Sequence, residues 1–246
     1  MKHFEIKDKT ALVTGSNRGI GEGFVETLIN AGAKKVYAAA RDVDNLTHLA
    51  EKYPNIVTPV QLDVTSAEHI NRLASDIEEL DILVNNAGIA NACNSSSENT
   101  LEIARSEMET NFFGPIQLTI AMLPALKKSK QAAIVNICSI ASISNFPSIG
   151  PYSATKAAIH SFTQGLRFDL ASDNIKVIGV YPGPIDTRLA AGWEMDKPKP
   201  AQVASRTIDA LAEGKIDVMP DDFSAQMYAT FLNHPHELEE ALAQMQ

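Results

Sequence analysis
A doubly wound parallel α/β sheet is the fold the sequence predicts, and three observations predict it. Short apolar runs alternate with helical patterns four times before Gly88, as strands joined by crossover helices do. A glycine-rich turn connects the first run directly to the first helix. Nothing in the 246 residues reads as a repeat, a low-complexity run or an interdomain linker. One domain over residues 1–246 with about seven strands is therefore expected, a length that a single α/β core accommodates.

The elements follow in order. Residues 10–14 (TALVT) are an apolar, β-branched run that reads as a buried strand. The helix after it places Ile20, Phe24, Leu28 and Ile29 on one face and stops at Gly32. Residues 36–40 (VYAAA) form the second strand, a polar helix covers 44–52, and a third strand covers 56–62. Thr65-Ser66-Ala67-Glu68 reads as a capping box opening a helix with Ile70, Leu73, Ala74 and Ile77 inward. Residues 81–84 (DILV) are the fourth strand, running into Asn85-Asn86-Ala87-Gly88. A polar loop spans 89–99, and residues 100–128 are helical with an interruption expected at Gly114-Pro115, just after Asn111. At such a break the asparagine can serve simply as a local cap. Strands at 132–137, 176–181 and 217–219, helices at 152–171 and 200–213, an irregular loop at 192–200 and two short C-terminal helices complete the chain.

Composition narrows the function. The net charge is −9 and the pI near 5.1, which argues against a nucleic-acid partner. No apolar stretch approaches a membrane span, and the N-terminus lacks the apolar core of a signal peptide. Cys93 and Cys138 have neither metal-type nor redox-type spacing, so no metal is expected and the cytoplasm is the expected compartment.

The chemistry centres on Tyr152-Ser153-Ala154-Thr155-Lys156, with Ser139 thirteen residues upstream. Four-residue spacing on a helix stacks phenol and ammonium on one face. A cation so placed is expected to lower the tyrosine pKa from about 10 toward neutrality, making a phenol that exchanges protons with an alcohol or carbonyl. Taken alone the pair is a weak signal, and a partly exposed helical Tyr-Lys pair is its default reading. Gly15-Ser16-Asn17-Arg18-Gly19-Ile20-Gly21 lies where backbone N–H groups and a helix N-terminus receive a dinucleotide pyrophosphate. Just past the second strand, an acidic residue would bind a ribose 2′-hydroxyl and a basic one a 2′-phosphate. Here Ala40 is followed by Arg41, and Arg18 offers a second guanidinium, so NADP(H) is the expected coenzyme. Asp42 could pair with Arg41 and weaken that preference.

Taken together, these residues resemble the short-chain dehydrogenase/reductase family, with its Rossmann-like fold, over nearly the whole chain. Thr14-Gly15-x3-Gly19-x-Gly21 looks like the family's glycine motif and Asn85-Asn86-Ala87-Gly88 is similar to its NNAG segment. Asn111, Ser139, Tyr152 and Lys156 match its catalytic four in order and spacing. The resemblance implies that Asp63-Val64 contacts the adenine, that Asn86, Ala87 and Gly88 border the adenosine, and that Pro182, Gly183, Ile185 and Thr187 hold the nicotinamide carboxamide. It further implies that Tyr152 exchanges the proton, that Lys156 tunes it and binds ribose hydroxyls, that Ser139 holds the substrate oxygen, and that Asn111 keeps a relay water. By the same analogy Ile89, Asn91, Ile140, Asn145, Phe146, Pro184, Trp193 and Met195 surround a pocket for a small carbonyl or alcohol substrate, although each apolar one serves equally as core or lid packing. A homodimer or homotetramer is also implied. Small residues Ala104, Ala121, Ala154, Ala157 and Gly165 would permit close helix packing, or could face the sheet. A catalytically silent NADP(H)-binding sensor on the same fold is the alternative reading.

Overall fold
The computed structural model describes residues 3–192 and 194–244. Seven parallel strands form one sheet in the order β3-β2-β1-β4-β5-β6-β7. They are β1 (Thr10–Thr14), β2 (Lys35–Ala40), β3 (Val57–Gln61), β4 (Ile82–Asn85), β5 (Ala132–Ile137), β6 (Ile175–Val180) and β7 (Asp217–Val218). The helices between them are α1 (Gly19–Asn30), α2 (Thr47–Lys52), α3 (Ala67–Asp76), α4 (Thr100–Met108), α5 (Gly114–Leu126), α6 (Gly150–Asp169) and α7 (Pro200–Glu213), followed by α8 (Asp222–Asn233) and α9 (Pro235–Ala243).

The strands are apolar throughout because both faces of the sheet are covered. Ala11, Val13, Ile82, Val84, Ala133 and Val135 point to one side, where Phe24, Val25 and Leu28 of α1 and Val203, Ala204 and Leu211 of α7 meet them. Leu12, Leu83, Ala132 and Ile134 point to the other, against Ile70 and Leu73 of α3, Leu118, Met122 and Leu126 of α5, and Leu166 of α6. Each fully buried Leu, Ile or Phe in these two layers contributes about 1.5–3 kcal/mol of transfer free energy.

The sheet reverses its winding between β1 and β4. The chain runs outward from β1 through β2 to β3, then crosses back to place β4 on the other side of β1. The crevice outside the carboxyl ends of β1 and β4 is where open α/β sheets bind ligands. Gly15 follows β1 and Asn86 follows β4, so both glycine-containing segments arrive there.

Two local expectations are corrected, and a third takes a specific form. The capping box at Thr65 is absent: Ser66 is the N-cap of α3, its hydroxyl accepting from the His69 N–H at 3.3 Å. Thr65 instead donates its N–H and hydroxyl to Asp63. The polar helix at 44–52 opens with a 3₁₀ turn (Val43–Leu46) before α2, because Asp42 accepts from the Asp44 N–H and caps a tighter turn. The interruption of the long helix precedes Gly114-Pro115, as a π-type turn over Glu109–Phe113 that contains Asn111. Pro115 follows that turn without a break in the helical backbone, and its missing N–H leaves the turn one hydrogen bond short.

Candidate active site
The first wall of the crevice is the glycine turn. Gly15 and Gly19 adopt φ of +65° and +60°, left-handed values that side chains disfavour. Gly21 is required by contact: a Cβ there would collide with the Gly15 carbonyl. Thr14 sews this turn to the end of β4. Its hydroxyl accepts from the N–H groups of Asn86 and Ala87, both at 2.9 Å, and the Asn86 amide donates to the carbonyls of Thr14 (2.8 Å) and Gly15 (3.2 Å). Asn85 points the other way, into the sheet, donating to Asn136 (2.8 Å) and Thr119 (3.0 Å), while Asn136 donates to Thr163 on α6 (2.9 Å). This buried polar ladder fixes β4, β5, α5 and α6 relative to one another.

The second wall is built from β5 and α6. Lys156, 5% exposed, donates from Nζ to the carbonyl of Ile137 at the end of β5 (2.7 Å), with Nζ 5.5 Å from the Tyr152 ring centroid. Ser139 N-caps a 3₁₀ turn, Ile140–Ser142: its Oγ accepts from the Ala141 N–H (3.1 Å), and its N–H donates to Ser142 Oγ (3.1 Å). The Ser139 hydroxyl donates to the Pro182 carbonyl (3.4 Å) and lies close enough to the Tyr152 phenol to influence it. Asn111 does not cap its own helix. Its Oδ1 accepts from the Ile89 N–H (2.9 Å), and its Nδ2 donates to the Ile89 carbonyl (2.8 Å) and to Thr155 (3.0 Å), so it clamps the chain after β4 to α6.

The electrostatics correct the sequence reading of the tyrosine. Burial pushes the Tyr152 phenol up to about 12, partly opposed by the nearby Ser139 hydroxyl. Burial draws Lys156 down to about 8. The ammonium is committed to the Ile137 carbonyl and does not bring the phenol toward neutrality; desolvation of the phenolate dominates. Tyr152 is therefore a firmly protonated phenol, the form that donates a proton.

Between the walls lies a cleft of about 510 Å³. It is lined by the predicted residues Gly15, Asn17, Arg18, Gly19, Ile20, Arg41, Asp63, Val64, Asn86, Ala87, Gly88, Tyr152, Lys156 and Thr187. Other predicted residues lie behind this surface. Ser16 is wholly buried, donating to the Val13 carbonyl (2.6 Å) and accepting from the Ala39 N–H (3.2 Å), so it braces the turn. Gly21 packs under Gly15. Asn111 and Ser139 stand behind the cleft surface beside Thr155 and Tyr152, as described. Pro182 and Ile185 are buried, and the Gly183 N–H donates to the fully buried Asp221 (2.9 Å). Of the expected pocket residues, Ile89 and Asn91 line the cleft. Ile140 and Phe146 are buried in one cluster with Tyr152. Asn145 donates to the Gly150 carbonyl, Pro184 is partly buried and Met195 is exposed. Trp193 lies outside the described residues.

Sequence reasoning missed Leu62, Thr65, Ala90, Thr110, Ile137, Arg188 and Leu189 as lining residues. Ile137 ends β5 and Leu62 follows β3, so the rule that ligands gather at strand carboxyl ends carried the signal for both. It also gave the C-terminal helices no role. Leu238 and Leu242 of α9 are buried with Tyr152, Phe146 and Ile140, and Phe223, Met227, Tyr228 and Phe231 pack around them. The α8–α9 pair thus covers the outer side of Tyr152.

The crevice fits a dinucleotide. Arg18, the N-cap of the twelve-residue α1, makes no side-chain cap, leaving the first-turn N–H groups to the cleft, where they favour an anion. Arg18 and Arg41 are exposed, and among the described residues neither forms an ion pair. Asp42 turns away from Arg41, accepting from Asp44 and Asn45. Arg41 acts on Asp63: burial pushes that carboxyl up, but hydrogen bonds from Thr65 and the fields of Arg41 and His69 outweigh that and hold it below its ordinary value.

Comparison with known proteins agrees with this architecture. The family model for short chain dehydrogenases matches residues 9–198. An uncharacterized oxidoreductase of Staphylococcus saprophyticus is 33% identical over 220 residues, 85% of this chain and 93% of the relative. A short-chain dehydrogenase from Burkholderia cenocepacia, solved in complex with NADP, superposes with a TM-score of 0.91 at 34% identity, covering 97% of this chain and 99% of that one. An NADPH-bound carbonyl reductase from chicken fatty liver gives a TM-score of 0.78 at 29% identity over 85% of this chain and 98% of its own. A Rossmann-like α/β oxidoreductase is the class that fold and crevice define. The chain belongs to the short-chain dehydrogenase/reductase family. No helix among the described residues is long and apolar enough to cross a membrane.

Proposed function
We propose that the chain is a single-domain, NADP(H)-dependent oxidoreductase interconverting a carbonyl compound and its alcohol. The observation that carries this reading is the meeting of a buried, protonated Tyr152 and Lys156 in the lining of the same cleft that begins at the glycine turn, with Ser139 just behind Tyr152. The nicotinamide supplies and accepts the hydride, so no metal is required. The turn N–H groups of residues 15–21 bind the pyrophosphate, with Arg18 and Arg41 on the 2′-phosphate. Asp63, Val64, Asn86, Ala87 and Gly88 enclose the adenosine. Thr187, on the segment positioned by Gly183 and Asp221, reaches the carboxamide. Tyr152 gives its proton to the carbonyl oxygen, Ser139 holds that oxygen, and Lys156 stabilises the phenolate left behind. Asn111 supports a water relay from Lys156. The NADP complex of the Burkholderia protein and the bound NADPH of the chicken reductase support the coenzyme assignment.

A panel of small ketones and aldehydes with NADPH, followed at the nicotinamide absorbance band, tests the reading. Turnover of at least one, abolished in Tyr152→Phe, is expected. NADPH binding with no turnover across the panel would instead favour a sensor. A homodimer or homotetramer belongs to the same proposal. Leu101 on α4 and Phe168 on α6 are 63% and 82% exposed, and Ala154, Ala157 and Gly165 are exposed on α6. Sedimentation at micromolar concentration should show the oligomer; a monomer refutes it.

A further inference from the structure
Glu107 is a carboxyl that the proposed chemistry does not use. It lies on α4 with no exposed surface, which such a group rarely tolerates without partners. Its Oε1 accepts from the main-chain N–H of Asn91 (2.7 Å) and from the Asn91 side-chain amide (3.1 Å). Oε2 has no hydrogen-bond partner. Burial lifts the acid above its ordinary range, while the two Asn91 hydrogen bonds pull it the other way. When the group is protonated the proton belongs on Oε2, since two donors already occupy Oε1.

Those two bonds determine what Asn91 shows to the cleft. One of the two amide N–H groups is committed to Glu107, which fixes the orientation of the amide and leaves Oδ1 as its acceptor. Asn91 is exposed and lines the cleft with Ala90, Tyr152 and Lys156. Its backbone is held on three sides. Asn111 grips Ile89, Glu107 grips Asn91 itself, and Cys93 exchanges hydrogen bonds with Ser148 and Gly150, each 2.9 Å. A loop so anchored presents a fixed acceptor beside Ile89 and Ala90, which offer no polar side chain.

We propose that Asn91, oriented by Glu107, is a specificity residue that accepts a hydrogen bond from a substrate hydroxyl, making the preferred substrates hydroxy-carbonyl compounds and the corresponding diols. Glu107 is a positioning residue. The inference rests on the reading of Tyr152 as the proton donor, which puts the reacting carbonyl in the same cleft. A site shaped to accept from a hydroxyl disfavours the analogue without one, because its acceptor then loses water without gaining a partner.

The test pairs 3-hydroxy-2-butanone, 4-hydroxy-2-butanone and 5-hydroxy-2-pentanone with 2-butanone and 2-pentanone, so that the hydroxyl samples three distances. For at least one hydroxyketone, wild type should show kcat/KM about 3–10-fold above its parent, the size of one neutral hydrogen bond. Asn91→Leu should bring that ratio to about one. Glu107→Gln should keep it, since the Gln oxygen still accepts from Asn91, and Glu107→Ala should lose it without an equal loss on the plain ketone. If Glu107→Ala does not fold, the Asn91→Leu and Glu107→Gln pair decides. Dissociation constants for the same ligands with the NADP+ complex, by saturation-transfer NMR, provide a readout without turnover. A binding preference that Asn91→Leu abolishes, with no turnover of any ketone, would uphold this site and overturn the proposed reaction. Equal values for hydroxylated and plain ligands in both assays, no ligand binding, or a preference unchanged in Asn91→Leu would overturn the inference.

Discussion

Replacing Arg41 is expected to cost coenzyme affinity in proportion to one charge-assisted contact. The guanidinium is exposed just past β2, follows Ala40 and has no ion-pair partner among the described residues, while Asp42 is engaged in capping the next turn. Arg41 is thus available to a 2′-phosphate without first breaking a bond. A hydrogen bond to a charged group is worth about 1.5–3 kcal/mol, so Arg41→Ala should raise the NADPH dissociation constant roughly 10–100-fold and leave NADH nearly unchanged. Because the group is solvent-exposed, the loss should shrink as salt is added. Ala40→Asp with Arg41→Ala should go further, supplying a 2′-hydroxyl acceptor and repelling phosphate. The assay is coenzyme fluorescence titration alongside kcat/KM for both coenzymes. A wild type that already prefers NADH, or a double mutant with an unchanged ratio, would refute the reasoning.

Other consequences are equally direct. Gly21→Ala forces a Cβ into the Gly15 carbonyl; overpacking against main chain should cost about 1–3 kcal/mol in urea unfolding and weaken binding of either coenzyme. Lys156, drawn down to about 8 by burial, makes stability pH-dependent. Its ordinary value is 10.5, so between about pH 8 and 10 the unfolded chain binds the proton more tightly and stability rises with pH. The coenzyme-free protein should gain up to about 2–3 kcal/mol from this group across that window, and Lys156→Met should remove the gain. Matched unfolding curves at the two ends of the window measure it, and an identical pH slope in wild type and variant would contradict the burial argument.

Much of this arrangement was legible in the sequence for physical reasons. Strands covered on both faces are apolar throughout, so TALVT and DILV announced themselves, and the turn residues after them marked the crevice. Element ends shifted by a residue or two, as in β4, which ends on Asn85. The break near Asn111 was legible because a proline withholds an N–H from the turn before it, and that turn, Glu109–Phe113, is the one that takes the π form. The pKa of Tyr152 could not be read from its four-residue spacing to Lys156, because depth of burial decides it. The grip of Glu107 on Asn91 left no trace either: a glutamate in a helical pattern normally marks the solvent face, and only the packing of residues 89–99 turns this one inward.

The most direct test of the central claim is the turnover of Tyr152→Phe with coenzyme affinity measured in the same preparation. The substitution removes only the hydroxyl, and the ring keeps its place among Ile140, Phe146, Leu238 and Leu242. Loss of a general acid should lower kcat about 10²–10⁴-fold, while the NADPH dissociation constant stays within about twofold of wild type, a change well below the worth of one hydrogen bond to a charged group. A folded variant that keeps more than about a tenth of wild-type kcat, far short of the loss expected of a general acid, would contradict the assignment of the proton to Tyr152.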